Sequence, residues 1–98
     1  MITVTAPVWL WKIEKGSWHF LTVPSDQAAE IRFDSLGMRG GFGSVRVAAA
    51  IGDVAWTTSL FPQGEGGYIL PIKADVRRRA GIFAGDEVTV RLTLAARA

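Results

Sequence analysis

The sequence predicts a mainly β domain with two short helices, built from two similar halves. Three observations support this prediction. Apolar segments rich in Val, Ile, Thr and Trp, several of them alternating with polar residues, are typical of strands. Glycine and proline interrupt the chain between these segments. The same order of elements occurs twice, which predicts pseudo-duplicated halves of about 1–52 and 53–98. Because halves of this length are rarely stable alone, the 98 residues are expected to form one domain, 1–98.

The first half begins with two predicted strands. Residues 2–14 and 18–23 are rich in β-branched and aromatic side chains. Between them lies Lys15-Gly16-Ser17, which predicts a tight hairpin turn. The two strands are therefore expected to pair with each other.

A helix is predicted next, within residues 24–37. Ser25 or Asp26 can cap it, because a side-chain oxygen accepts a free N–H group of the first turn. Gly37 can end it in a left-handed conformation. Its apolar face is expected to hold Ala29, Phe33 and Leu36, with Ile31 pointing elsewhere.

Two strands with a turn at Gly52-Asp53 are predicted to follow. Residues 44–51 alternate toward this turn, and residues 54–61 continue beyond it. Residues 62–67, with the sequence PQGEGG, predict a long exposed hairpin loop. The glycine-rich residues 38–44 are expected to connect the first helix to this pair of strands.

The last part of the chain predicts a strand, a short helix and a closing strand. Pro71 places the strand YILPI at a sheet edge or at a strand end, because proline donates no ladder hydrogen bond. Residues 74–81 predict the helix. The closing strand alternates, and one of its sides holds Val88, Val90, Leu92 and Leu94.

The internal duplication is predicted from the order of elements. Two stretches both run strand, proline, helix, glycine-bearing turn and alternating strand. Val45 follows Pro24 by twenty-one positions, whereas Val88 follows Pro71 by seventeen. The first copy therefore carries a longer connection, the glycine-rich stretch described above.

The composition excludes several classes of protein. There is no cysteine, so disulfides, thiolate nucleophiles and zinc–cysteine sites are absent from the chain. The apolar run near the start is too short to span a bilayer and has no basic segment before it. These observations predict a soluble, cytoplasmic protein with no membrane partner.

The basic residues are concentrated in one place. The pI is about 9.5, although the formal net charge is only +2. Lys73, Arg77, Arg78 and Arg79 put four of the eleven basic residues within seven positions. So small an overall excess gives little support for a nucleic-acid partner, and the distribution of charge matters more.

Two interpretations of the arginine triple are open. In the first, Arg77, Arg78 and Arg79 occupy the last turn of the helix and meet the negative end of its dipole, each gaining roughly 0.3–1 kcal/mol. Gly81 then supplies the left-handed cap, and Ile82 its hydrophobic contact. In the second, the cluster with Lys73 contacts phosphates. The first is favoured because it needs only local helix physics.

One local resemblance begins at this helix. The stretch VRRRAGIFAGDEVTV resembles the helix–turn–strand signature of the AbrB-like swapped-hairpin regulators and antitoxin DNA-binding domains. The resemblance implies a dimeric DNA-binding relative with basic residues from both halves. Here the first helix is acidic where the second is basic, so no DNA-contacting residue is transferred.

A second resemblance covers nearly the whole chain. Paired Trp9 and Trp11 occur together with GFGSV, WTTSLFP and YILPIK followed by VR. In these features the chain resembles a bacterial family catalogued only as a domain of unknown function, number nineteen-oh-five. The resemblance implies a double-split β-barrel with both halves in one chain. It implies no activity.

No catalytic or metal site can be named from the residues. The only histidine, His19, lies between Trp18 and Phe20 in a strand, and alternation points it away from both, toward solvent. Asp53, Asp75 and Asp86 stand at turns or helix starts, where Asp accepts local hydrogen bonds. No cofactor is predicted.

The aromatic residues give two further interpretations. Bulky side chains are expected to fill the interior of a small barrel, and the candidates are Trp9, Trp11, Trp18 and Trp56. For Trp11 the choice between this interpretation and the next is left open. Alternatively, a split barrel leaves a groove with apolar walls and a few cations, suited to a small anionic or aromatic ligand. The candidate binding residues are Trp11, Arg39, Trp56, Thr58, Lys73 and Arg77.

Three functions are therefore predicted, in order of preference. The first is a binding module for a small ligand or a protein partner. The second is nucleic-acid binding through Lys73, Arg77, Arg78 and Arg79, with a steep salt dependence. The third is an enzyme of unknown reaction. The chain is expected to be a monomer or a weak dimer.

Overall fold

Six strands and two helices make up the described part of the chain, as the sequence predicted. A computed structural model describes residues 1–37 and 43–95. The elements in chain order are β1 (Ile2–Ile13), β2 (Gly16–Thr22), α1 (Ser25–Asp34), β3 (Val45–Ile51), β4 (Val54–Gln63), β5 (Gly67–Pro71), α2 (Ala74–Ala80) and β6 (Glu87–Leu94). Among the described residues, no helix is long and apolar enough to cross a membrane.

The strands close into one antiparallel barrel. Their order around the barrel is β1-β2-β5-β4-β3-β6, and β6 pairs with β1 to complete the ring. Closure gives most strand segments a hydrogen-bonded neighbour on both sides. The prediction of a mainly β barrel with two helices is confirmed.

Alternation decides which side chains fill the barrel. In β6, Val88, Val90 and Leu92 point inward and are buried, as predicted, while the residues between them are exposed. In β1, Val4 and Val8 do the same. At about 25 cal/mol per Å² of apolar surface removed from water, such side chains supply most of the drive to fold.

The strand pairing is symmetric between the two halves of the chain. Exchanging β1, β2 and β3 with β4, β5 and β6 leaves the order around the barrel unchanged. At the centre of this symmetry, β2 and β5 pair through Leu21 and Leu70, both fully buried. The descent of the halves from one duplicated unit stays a prediction.

The symmetric pairing leaves two openings, each occupied by a helix. β5 stops at Pro71, opposite Phe20, so residues 16–19 of β2 and 54–58 of β4 extend past its end. Helix α2 lies at this place, which we call the α2 opening, and contacts β4. In the same way β2 stops at Thr22, and α1 occupies the α1 opening between β1 and β5.

Helix α1 differs from its prediction at both ends and in its buried face. Its N-cap is Pro24 with no side-chain hydrogen bond, and its C-cap is Ser35 rather than Gly37. Ala28 and Ile31 are buried, whereas Phe33 and Leu36 are 75% and 65% exposed. The expected apolar face, Ala29 included, therefore points outward. Tertiary packing decides which face is buried, because the chain enters the α1 opening from β2 with Ala28 and Ile31 facing the barrel.

The predicted long loop at residues 62–67 is wrong, because β4 continues to Gln63 and only three residues separate it from β5. Pro62 pairs with Tyr68 inside this strand. Proline is tolerated there because β4 pairs with β3 only as far as Leu60, so no ladder pair within the described strands needs an N–H from Pro62 on that side. Residues 38–42 of the predicted glycine-rich connection lie outside the described residues.

Candidate functional site

A cavity of about 290 Å³ lies in the α2 opening. Its walls come from β2, β4 and the segment that leads into α2. Six of its lining side chains carry the chemistry: Trp18, His19, Trp56, Thr58, Lys73 and Arg77. The cavity exists because β5 ends early and α2 does not fill the space that remains.

Strand β4 supplies the inner wall. Trp56, Thr58 and Leu60 lie on its inward side, and Trp56 is only 8% exposed. Leu60 and Trp56 both belong to the core, and Trp56 and Thr58 also border the cavity. A large indole surface and a hydroxyl are therefore placed side by side on a rigid strand.

Helix α2 brings one arginine to the cavity and holds it there. Arg77 is half-buried, and its Nη1 donates a hydrogen bond of 2.8 Å to the carbonyl oxygen of Ile72. This bond spans the start of the helix, so the guanidinium is anchored next to the cavity wall. Lys73, the N-cap of the helix, is exposed at the same cavity.

The other two arginines of the triple have a different role. Arg78 and Arg79 lie in solvent and form ion pairs with Asp75, with N–O distances of 2.9 Å and 3.4 Å. Such exposed pairs contribute little, about 0.2–1 kcal/mol each. Sequence reasoning placed these residues in the last turn correctly but did not identify Asp75 as their partner.

The predicted end of α2 is confirmed. Gly81 is left-handed, with φ 69°, and the N–H of Ile82 donates to the carbonyl oxygen of Arg77 at 2.9 Å. Ile82 is buried, so the hydrophobic contact of the cap is present as well. The cap fixes the last turn and with it the position of Arg77.

His19 is the residue that sequence reasoning placed least well. Alternation turned it away from Trp18 and Phe20 as expected, but this is the inward side of β2, and the ring is half-buried rather than in solvent. It lines the cavity together with Arg77. Burial, and secondly the nearby Arg77 cation, lower the pKa of His19 below its ordinary 6.5. The ring is therefore neutral at neutral pH.

Two residues that line the cavity each carry a buried polar atom without a partner. His19 Nδ1 and Trp56 Nε1 are buried, and neither has a hydrogen-bond partner within the described part of the chain. Buried polar atoms without a partner are uncommon and call for an explanation, for instance a ligand or water that the site receives. Both residues line the same cavity.

The charge of the cavity has one sign. Lys73 and Arg77 are cationic, and no carboxylate lines it within residues 1–37 and 43–95. In the same ranges no group of three or more His, Asp or Glu side chains could hold a metal ion. The site therefore favours an anion.

The prediction that the tryptophans fill the barrel is wrong for Trp9 and Trp18, and Trp11, whose position was left open, lies outside the core as well. Only Trp56 belongs to the core. Trp9, Trp11 and Trp18 lie on the outward side of β1 and β2, around Phe20, with ring centroids 5.1 Å, 6.3 Å and 6.2 Å from it. The inward positions of these strands belong to residues such as Val8 and Leu21. The outer aromatic side chains instead cover Phe20, and the Trp9 indole N–H donates to Thr22 Oγ1 at 2.8 Å.

The structure brings together four of the six candidate binding residues. Trp56, Thr58, Lys73 and Arg77 line the one cavity. Trp11 is 52% exposed on the outer aromatic surface and does not line it, and Arg39 lies outside the described residues. Sequence reasoning missed His19 and Trp18. For His19, the alternation with buried Leu21 was the available signal.

The fold and this cavity define a small closed β-barrel with a cation-bearing cavity at one of its two openings. Residues 5–92 match the model of the family described as "Domain of unknown function (DUF1905)", and the chain belongs to that family. This confirms the longer of the two resemblances. The AbrB-like resemblance stays a prediction. No curated protein matches the chain.

Proposed function

We propose that this protein is a binding module for a small ligand that combines a flat apolar body with an anionic group. The observation that supports the proposal is the cavity of the α2 opening, where Lys73 and Arg77 stand beside two tryptophans. A concave site with mostly apolar walls and a few placed polar groups is typical of small-molecule sites.

The walls suit a flat apolar body. Trp18, which is half-exposed, and the buried Trp56 both line the cavity, as do Pro71 and Ile72. Aromatic side chains contribute large contact areas and favour offset or edge-to-face ring geometry. A planar ring would therefore gain both desolvation and stacking.

The cations suit an anionic group. Because Arg77 is already anchored to Ile72, it loses little side-chain freedom on binding a second oxygen acceptor. Hydrogen bonds to charged groups are worth about 1.5–3 kcal/mol. Lys73, exposed on the rim, can follow the position of the anion.

The size of the cavity limits the ligand. A volume of about 290 Å³ corresponds to roughly ten waters at about 30 Å³ each. One ring system with one acidic group fits this space.

Binding is favoured over catalysis and over nucleic-acid recognition. His19 has no carboxylate beside it among the described residues of the cavity, so a tuned acid–base pair cannot be named. Arg78 and Arg79 are partly neutralised by Asp75, which leaves a smaller positive surface on α2 than the sequence suggested.

Calorimetric titration with naphthalene-1-sulfonate tests the proposal. The natural protein is compared with Arg77→Gln and, as the matched control, Arg78→Gln, which removes an exposed arginine from the same helix. Loss of one charge-assisted hydrogen bond, at about 1.5–3 kcal/mol, predicts an affinity about ten- to a hundredfold weaker for Arg77→Gln. The control is expected to change affinity less than about twofold.

Two related probes separate the parts of the ligand. Neutral 1-naphthol and inorganic sulfate should each bind more weakly than the sulfonate, because each lacks one of its two parts. In ¹H–¹⁵N spectra the indole N–H of Trp56 should shift, whereas that of Trp9, which is bonded to Thr22, should not. Equal losses in both arginine variants, or no binding of the sulfonate, would contradict the proposal.

A further inference from the structure

We infer that the cavity takes up a proton together with its anion and that His19 receives this proton. The inference rests on the proposed function and adds to it a regulation of the same site by pH. It also adds a residue, His19, to the set that binds the ligand.

His19 is held at the cavity by its backbone. It pairs with Leu10 of β1 on one side, and on the other its carbonyl oxygen accepts a 2.9 Å hydrogen bond from the N–H of Ile72. The strand therefore cannot rotate the imidazole away without breaking pairing on both sides. The ring stays on the inward side of β2, next to the α2 opening.

His19 and Arg77 lie between two cavities. Both border the cavity of about 290 Å³, and both also border a second, more open cavity of about 480 Å³ on the side of Ile82 and Phe83. An anion that approaches Arg77 from either side therefore also approaches His19.

The unpartnered nitrogen of His19 suits this role. Nδ1 is buried and accepts or donates no hydrogen bond within the described part of the chain. A neutral imidazole has one donor and one acceptor nitrogen, whereas a protonated one donates from both. Protonation would place a second positive charge beside Arg77, and an anion bound at the guanidinium would offset the repulsion between the two cations.

The electrostatics give the direction of the coupling. In the free protein burial and the Arg77 cation both disfavour a charge on His19. An anion bound at Arg77 opposes the second cause and supplies an opposite charge, which favours the protonated ring. Ligand binding should therefore raise the pKa of His19, and by linkage acid should strengthen binding.

Among the described residues, three charged side chains border a cavity together with His19. They are Lys73, Arg77 and Arg78, and all three are cations. Lys12 lies on the neighbouring strand β1, two residues from Leu10, the partner of His19. Histidine is the side chain that ordinarily titrates between about pH 5 and 8, and His19 is the only one in the chain.

The single histidine makes the test direct. One imidazole Cε1–H resonance exists, so its pH titration by NMR gives the pKa of His19 without assignment. The titration is run on the natural protein alone and with saturating naphthalene-1-sulfonate, whose own charge is constant over this pH range. We expect the pKa with probe to be higher by about one unit, as an adjacent opposite charge produces.

Calorimetry provides a second test by measuring proton uptake on binding, and the variant His19→Gln serves as its control. At about pH 6.5, titrations in bis-tris and in imidazole buffers should give different apparent enthalpies, because proton uptake by the complex adds the ionisation enthalpy of the buffer. Affinity should increase about three- to tenfold from about pH 7.5 to 5.5 in the natural protein. His19→Gln, which cannot titrate, should show no such change.

Each outcome has a separate meaning. A higher pKa of His19 with the probe, and proton uptake on binding, support the inference. Binding of the probe with an unchanged or lower pKa of His19 overturns the inference and leaves the proposed function standing. Absence of binding at every pH overturns both.

Discussion

The two helix-bearing openings of the barrel share their backbone connections and differ in their side chains. In the α1 opening the N–H of Val23 donates to the carbonyl oxygen of Tyr68 at 3.0 Å. In the α2 opening Ile72 donates to His19 in the same way. The central pair Leu21 and Leu70 relates the two, so Tyr68 stands where the other opening has His19.

The helices that follow are equivalent as well. The N–H of Ala28 donates to the carbonyl oxygen of Pro24, and the N–H of Arg77 to that of Lys73. Ala28 and Tyr68 are buried, whereas Arg77 and His19 are only half-buried. Thus a small apolar residue and a large ring pack one opening into the core, while an arginine and a smaller ring leave the other as a cavity. Side chains, rather than topology, make one opening a candidate site.

The largest expected effect comes from placing the arginine in the wrong opening. Ala28→Arg forces a charged, bulky side chain into a buried position and should cost at least about 3 kcal/mol of unfolding free energy. Ala29→Arg, one residue further on the exposed side, should stay within about 0.5 kcal/mol. Urea denaturation measures both. Similar costs for the two variants would contradict the burial of the Ala28 face.

An intermediate effect is expected from exchanging the rings. Tyr68→His removes buried aromatic volume and places a polar ring in the core, so it should cost about 2–4 kcal/mol. The reverse exchange, His19→Tyr, should change stability by less than about 1 kcal/mol because that position borders a cavity. It should, however, weaken naphthalene-1-sulfonate binding by occupying the space. Equal destabilisation by both exchanges would show that the openings are packed alike.

The smallest effect is the pH dependence of stability. The pKa of His19 is lower in the folded protein than in the unfolded chain, so below about pH 6.5 the unfolded state binds more protons. The natural protein should therefore lose more stability than His19→Gln as the pH falls from about 7 to 5. Denaturant midpoints at several pH values provide the measurement. Parallel curves for the two proteins would exclude a lowered pKa.

Local sequence patterns correctly predicted α2 and β6, where packing against other elements does not change the local preference. In α2 the left-handed Gly81, the buried Ile82 and the three arginines of the last turn follow from helix physics alone. In β6 strict alternation identified the buried side. Each of these elements has only one apolar side, so the side that is buried follows from the sequence alone.

Where a segment has apolar residues on two faces, the sequence did not determine which face is buried. Helix α1 has apolar residues on two faces, and the sequence favoured Phe33 and Leu36 over Ile31. Tertiary packing buried Ile31, because only that face meets the barrel when the chain enters from β2. Likewise β1 and β2 have bulky residues on both sides, and closure of the barrel put Trp11 and Trp18 outside.

The candidate site was predicted in part for the same reason. Trp56, Thr58, Lys73 and Arg77 were named as the lining of a groove that a split barrel leaves open, with apolar walls and a few cations. That His19 joins them depends on β2 running past the end of β5, a long-range register that no local pattern encodes.

By itself, the sequence determined the class of fold, the order of elements, the end of α2 and the cluster of cations at that helix. These depend on alternation, turn residues and helix capping, which act over a few residues. Only the tertiary structure decided which of two apolar faces is inside, which arginine reaches the cavity, and which opening is closed. Those choices depend on contacts between residues far apart in the chain, and these form only when the six strands close into a barrel.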